Sequence, residues 1–104
     1  MTFKTILLPT DFSAPALAAA TRGIEIARRD QAKVIALHVL PLTELAVGDM
    51  PGNLLDELMQ QLQKEAEQQL ALWAGAQPVA VEPLVVWGTP AVDICRIAGE
   101  RKAD

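Results

Sequence analysis

Apolar positions along this chain alternate between short unbroken runs and longer stripes at helical spacing. Thr5-Ile6-Leu7-Leu8 is the first run. It has no polar alternation, the pattern of a strand covered on both faces of a parallel sheet. It breaks at Pro9-Thr10-Asp11, and Ser13 then stands where a helix cap belongs, with Pro15 tolerated in the first turn. Leu17, Ala20, Ile24 and Ala27 follow at spacings of three or four and form one stripe suited to packing on a sheet. Asp30-Gln31 ends that helix. Val34 to Leu40 is a second apolar run and predicts an interior strand, stopped by Pro41.

Residues 42–52 show no periodicity and contain Gly48, Pro51 and Gly52, a long connection of the kind that often serves as a lid. Asn53 predicts the cap of a second helix. Its buried stripe is Leu55, Met59, Leu62, Ala66, Leu70 and Trp73, and its wet face is Gln60, Gln63, Lys64, Glu67 and Gln68. Gly75 is expected just past its end, followed by Pro78. Val79 to Trp87 predicts a third strand, placed at a sheet edge because Pro83 cannot donate to a ladder. Gly88-Thr89-Pro90 opens a third helix with Thr89 as cap and Pro90 at the first helical position, its buried face expected to hold Ala91, Ile94, Cys95 and Ala98. The resulting β-α-β-α-β-α pattern predicts an α/β fold, a parallel sheet of three βα units with helical crossovers in the order 3-2-1.

Composition narrows the function classes. The chain has 104 residues, 51% hydrophobic, enough for one domain and one core over residues 1–104. The net charge of −4 argues against non-specific binding to nucleic acid or to an anionic membrane surface. Two Trp, two Phe and no Tyr argue against a base-stacking platform. The lone Cys95 fits a reducing compartment, and the sequence carries neither a signal pattern nor a run of membrane length, so a cytoplasmic protein is expected.

The sequence of motifs, strand-Pro-Thr-Asp-Phe-Ser, then Val34-Ile35-Ala36-Leu37-His38-Val39-Leu40, then Trp87-Gly88-Thr89-Pro90, resembles the universal stress protein family over its whole length. That resemblance implies a five-stranded parallel sheet of order 3-2-1-4-5 that binds ATP or another adenine nucleotide in some members, with magnesium entering only with the nucleotide. It implies that Pro9, Thr10, Asp11 and Val39 are nucleotide-binding, with Asp11 and Val39 against the adenosine portion. The family's Gly-x-x-Gly-x9-Gly-Ser/Thr segment, which holds the triphosphate after strand four, is not reproduced by glycines 23, 48, 52, 75, 88 and 99. Strands four and five are therefore expected to be lacking, which would leave the first strand as an apolar edge. Such an edge predicts a homo-oligomer, a dimer formed through that strand, or a less stable fold.

Each candidate has a plainer reading. Asp11 is either a ligand contact or a turn-forming Asx residue before the cap. His38, with no second histidine in the chain, is expected to be a buried, hydrogen-bonded structural residue. Cys95 is expected to pack within the core. Gly88-Thr89-Pro90 is either an anion-attracting helix start or a capped turn. The common phosphate, dinucleotide and metal signatures are absent. A phosphoacceptor of the response-regulator kind is disfavoured, because strand one ends in a single Asp11 and strand three in Gly88-Thr89. The expected protein is a non-catalytic stress-response domain that binds an adenine nucleotide in its intact form. The alternative is a family member that binds none and acts through protein contacts or oligomerisation.

Overall fold

The computed structural model describes residues 2–41 and 52–103. Its elements are β1 (Thr5–Pro9), α1 (Ala14–Asp30), β2 (Lys33–Pro41), α2 (Gly52–Gly75), β3 (Val81–Gly88) and α3 (Pro90–Glu100). The strands are parallel in the order β1-β2-β3, with Leu7 opposite Ile35 and Leu37 opposite Leu84. This is the predicted 3-2-1 order, seen from the other edge. Most of the predicted connection after β2 lies outside the described residues.

The central strand owes its place to its composition. Val34, Ile35, Ala36 and Leu37 are wholly buried, which requires cover on both sheet faces. One face receives α1 and α2: Ile24, Ala27 and Trp73 pack with Ile6, Leu8, Val34 and Val81. The other receives α3: Ile94 and Ile97 pack with Leu7, Leu37, Val39, Leu84 and Val86. Alternation along each strand sorts these residues, so neighbours in sequence serve opposite layers. Pro83 sits on β3, which among the described residues pairs with β2 alone, as its missing donor predicts.

Local chemistry sets the helix ends. The Ser13 hydroxyl accepts the Ala16 N–H, Pro15 lies in the first turn, and Gln31 closes α1 in the left-handed region at φ 55°. Gly23 lets α1 lie directly on β1, since a Cβ there would collide with the Leu8 side chain. Glu82 of β3 pairs with Arg101 just past α3 and with Lys33 of β2 at 3.6 Å, tying the far end of α3 back to the sheet.

Several expectations are corrected. Cys95 is exposed, because α3 buries the strip around Ile97 and Ile94, and Cys95 lies one residue's rotation away. Ala91 is exposed for the same reason. Gly75 is the last residue of α2 and has no positive φ; Ala76 and Gln77 instead bond back to the Trp73 and Ala74 carbonyls at 3.2 Å. Asn53 lies inside the first turn of α2. Gln63, assigned to the wet face, accepts the Trp87 indole N–H at 3.0 Å. The third strand begins at Val81, two residues later than the apolar pattern begins.

Candidate ligand cleft

The route of the chain creates a crevice. Helices α1 and α2 lie on one sheet face and α3 on the other, so the chain changes sides after β3. Open α/β sheets bind ligands outside the carboxyl ends of their strands. A cleft of about 270 Å³ opens there. The end of β1 contributes Pro9, Thr10 and Asp11, and α1 contributes Ser13 and Ala16. Leu37 and Val39 of β2 form its floor, and Pro90 and Ile94 of α3 its far wall. The four residues singled out from the sequence, Pro9, Thr10, Asp11 and Val39, thus stand together around one space.

The β1–α1 turn is built almost entirely from its own polar groups. The Thr10 N–H donates to the Leu37 carbonyl at 2.8 Å and so extends the sheet ladder by one bond. The Thr10 hydroxyl oxygen accepts the Phe12 N–H at 3.0 Å. Asp11 Oδ1 accepts the Ser13 N–H at 2.9 Å, which makes Asp11 an Asx turn in front of the cap. Phe12 is held at φ 64°, a region that non-glycine residues rarely adopt. The Ser13 hydroxyl and amide beside Asp11, with a smaller contribution from His38, hold its carboxyl below the usual carboxylate range. Asp11 is exposed and ionised at neutral pH, and its bond to the Ser13 N–H is the turn-forming Asx reading.

His38 is half-buried rather than buried, on the opposite side of β2 from Leu37 and Val39. Its Nδ1 lies 2.7 Å from the Thr10 carbonyl oxygen, and its ring meets the Phe12 ring at 4.7 Å between centroids. A carbonyl can only accept, so Nδ1 carries the hydrogen.

The β3–α3 turn draws in a carboxylate of its own helix. Thr89 is the N-cap, yet its side chain makes no cap bond. Asp93 Oδ2 accepts the Thr89 N–H at 2.7 Å instead. That bond, seconded by Arg96, holds the Asp93 carboxyl below its ordinary range. Pro90 has no N–H to offer, and the Thr89 N–H is taken by the chain's own carboxylate. Gly88 is needed here because a Cβ would strike that carboxylate.

Sequence reasoning missed Leu37, Ala16, Ser13, Pro90 and Ile94 as lining residues. Leu37 was within reach of period two, which puts it on the face of Val39. Pro90 and Ile94 were not, because they enter only when α3 crosses to the second face. No cluster of three or more potential metal ligands occurs among the described residues. No described helix is long and apolar enough to cross a membrane.

Known proteins share this fold. Hypothetical protein MJ0577 superposes with a TM-score of 0.84 at 28% identity, covering 100% of this chain and 72% of that one. UspA of Lactobacillus plantarum gives 0.69 at 25% identity, covering 98% of this chain and 72% of its own. A universal stress protein in complex with cAMP gives 0.63 at 26% identity, covering 100% and 70%. In sequence, universal stress protein MJ0531 of Methanocaldococcus jannaschii is 31% identical over 104 residues, and the match spans 98% of this chain but 61% of that relative's length. The model of the universal stress protein family matches residues 2–104, and the chain belongs to that family.

Proposed function

We propose that this chain is a non-catalytic, stress-response ligand binder whose cleft takes the adenosine portion of an adenine nucleotide. The observation that carries the reading is the convergence of Pro9, Thr10, Asp11 and Val39 on one cleft at the carboxyl ends of β1 and β2. An ionised carboxylate only accepts, so Asp11 selects a donor: a ribose hydroxyl or the exocyclic amine of the base. Val39, Leu37 and Ile94 supply the apolar surface that a flat base needs. The complex of a related universal stress protein with cAMP supports an adenine nucleotide as the ligand class. None of the lining residues is Lys or Arg, and the Thr89 N–H ahead of α3 is already taken by Asp93. A cleft so lined favours the nucleoside over its phosphates, and magnesium enters only as the partner of phosphates. Asp11 serves as an acceptor held ionised, which suits binding rather than proton transfer.

Calorimetric titration of the 104-residue chain with adenosine, cAMP and MgATP tests this. The expected result is saturable binding of adenosine, with Asp11→Asn weakening it. A folded chain that takes up none of the three at millimolar concentration would overturn the reading.

A second reading rests on β1. Among the described residues β1 pairs with β2 alone, and Ile6, Leu7 and Leu8 along it are half-buried. An open strand edge of this composition favours pairing with a second copy. Sedimentation equilibrium decides it: a monomer across the micromolar range removes this reading and leaves the first untouched.

A further inference from the structure

The β1–α1 turn presents Asp11 to the cleft, yet most of its bonds run within the turn itself or to the next rung of the ladder. Bonds of that kind form and break together in an exposed segment. One side-chain tie comes from far away in sequence: His38, 28 residues on, reaches the Thr10 carbonyl with Nδ1 and sets its ring against Phe12, tilted by 45°. The Thr10 carbonyl and the Asp11 N–H belong to one rigid peptide plane. Pinning that carbonyl sets the direction in which the Asp11 side chain leaves the backbone. The Phe12 ring contact braces the residue that holds the uncommon φ of 64°. His38 itself faces the α1–α2 layer, away from Leu37 and Val39, so it acts through the turn and does not touch the cleft.

We propose that His38 is a positioning residue for ligand binding: its bond to the Thr10 carbonyl and its contact with Phe12 fix the turn that aims Asp11 into the cleft. The proposal rests on the ligand-binding reading above. The carbonyl accepts from Nδ1–H whether the ring is neutral or cationic, so the tie holds in either charge state.

The test compares His38→Ala with His38→Asn in the 104-residue chain. The amide N–H of asparagine falls near the place of Nδ1 and can restore the bond. Both variants remove the imidazole and its charge, so the difference between them reads the hydrogen bond. Two quantities are followed: adenosine affinity by calorimetry, and Asp11 ionisation through the Ser13 amide shift against pH. His38→Ala is expected to weaken adenosine by roughly three- to tenfold and to move the Asp11 midpoint up toward its ordinary value. His38→Asn is expected to recover most of both. Identical behaviour of the two variants overturns the proposal, as does wild-type behaviour of His38→Ala. If the wild-type chain binds no adenosine, the ligand reading falls, and the Ser13 titration alone decides the positioning role. Should His38→Ala not fold, His38→Gln takes its place, since its amide lies one methylene too far out and is expected to act as the loss.

Discussion

Two strand-to-helix turns face each other across the cleft, and they use similar residues to opposite ends. In the β1–α1 turn, Asp11 stands two positions before the cap Ser13 and bonds the Ser13 N–H with one oxygen. In the β3–α3 turn, Asp93 stands four positions after the cap Thr89 and folds back onto the Thr89 N–H. Both carboxyls are held below their ordinary range by an amide and a neighbouring group. Asp93 is largely covered, its side chain 16% accessible, and is shared with Arg96 at 3.0 Å. Asp11 is exposed and reaches the cleft. A carboxylate behind the cap is committed to its helix, whereas one ahead of the cap finishes the turn and still keeps a face for a ligand. In the function proposed above, the first turn is the recognising wall and the second the closing wall.

The harshest way to break this contrast is to remove what the walls share. Leu37 accepts the Thr10 N–H on one side and packs under α3 on the other. It is wholly buried, so Leu37→Ala is expected to lose about 2–5 kcal/mol in urea denaturation. A loss near zero would mean that the floor does not hold the two walls together.

A smaller effect is expected from attacking the closing wall alone. The Cβ of Gly88→Ala displaces the Asp93 carboxylate from the Thr89 N–H. The melting temperature should fall by roughly 4–8 °C, the loss of one helix cap in a chain of this size. Adenosine affinity should hold within about twofold, because Asp11 is untouched. The reverse pattern, a stable protein with lost affinity, would exchange the roles of the two walls.

Acid titration separates the walls further. A carboxyl whose folded pKa is lowered stabilises the fold at pH values above its unfolded pKa, and that contribution is lost as pH falls through the folded value. Asp11 and Asp93 are both of this kind. Asp93→Asn should lower thermal stability at neutral pH and flatten the acid limb of the melting profile. Asp11→Asn should flatten that limb as well, while its distinguishing effect at neutral pH is an adenosine affinity about tenfold weaker. If Asp93→Asn costs more affinity than Asp11→Asn, the cleft has been read from the wrong wall.

The recognising wall was legible in the sequence, and the closing wall was only half so. Thr5 to Leu8 runs apolar and then stops at Pro9-Thr10-Asp11-Phe12-Ser13, where the Thr10 hydroxyl, the Asp11 carboxylate and the Ser13 hydroxyl each have a partner two or three residues along the chain. Local bonds of that sort can be read from spacing alone. The sheet order was legible too, because Pro83 excludes the middle place and the unbroken apolar run of β2 demands it. On the far side, Thr89 looked like the capping side chain, and nothing in Pro90-Ala91-Val92-Asp93 announces that Asp93 turns back instead. The His38 tie also lay beyond reach, since it depends on where two strands end side by side. Helix α3 offers several apolar residues and a choice of stripes, and the sheet decides which is buried.

The smallest effect bears on that choice. Spacing allowed a buried face through Ala91, Ile94, Cys95 and Ala98, but the sheet receives Ile94 and Ile97 and leaves Cys95 exposed. Adjacent residues on a helix differ by about 100° in direction. If Cys95 were buried, α3 would be rotated enough to carry Ile94 away from the cleft, and the closing wall would not exist in this form. Cys95→Ser should therefore change stability by less than about 0.5 kcal/mol, as for other exposed positions. In the native wild-type chain, Cys95 should react with a disulfide reagent at the rate of the urea-unfolded protein to within about tenfold, because access limits it little. Protection by several orders of magnitude would place the thiol inside, turn α3, and leave Asp11 facing a cleft with one wall.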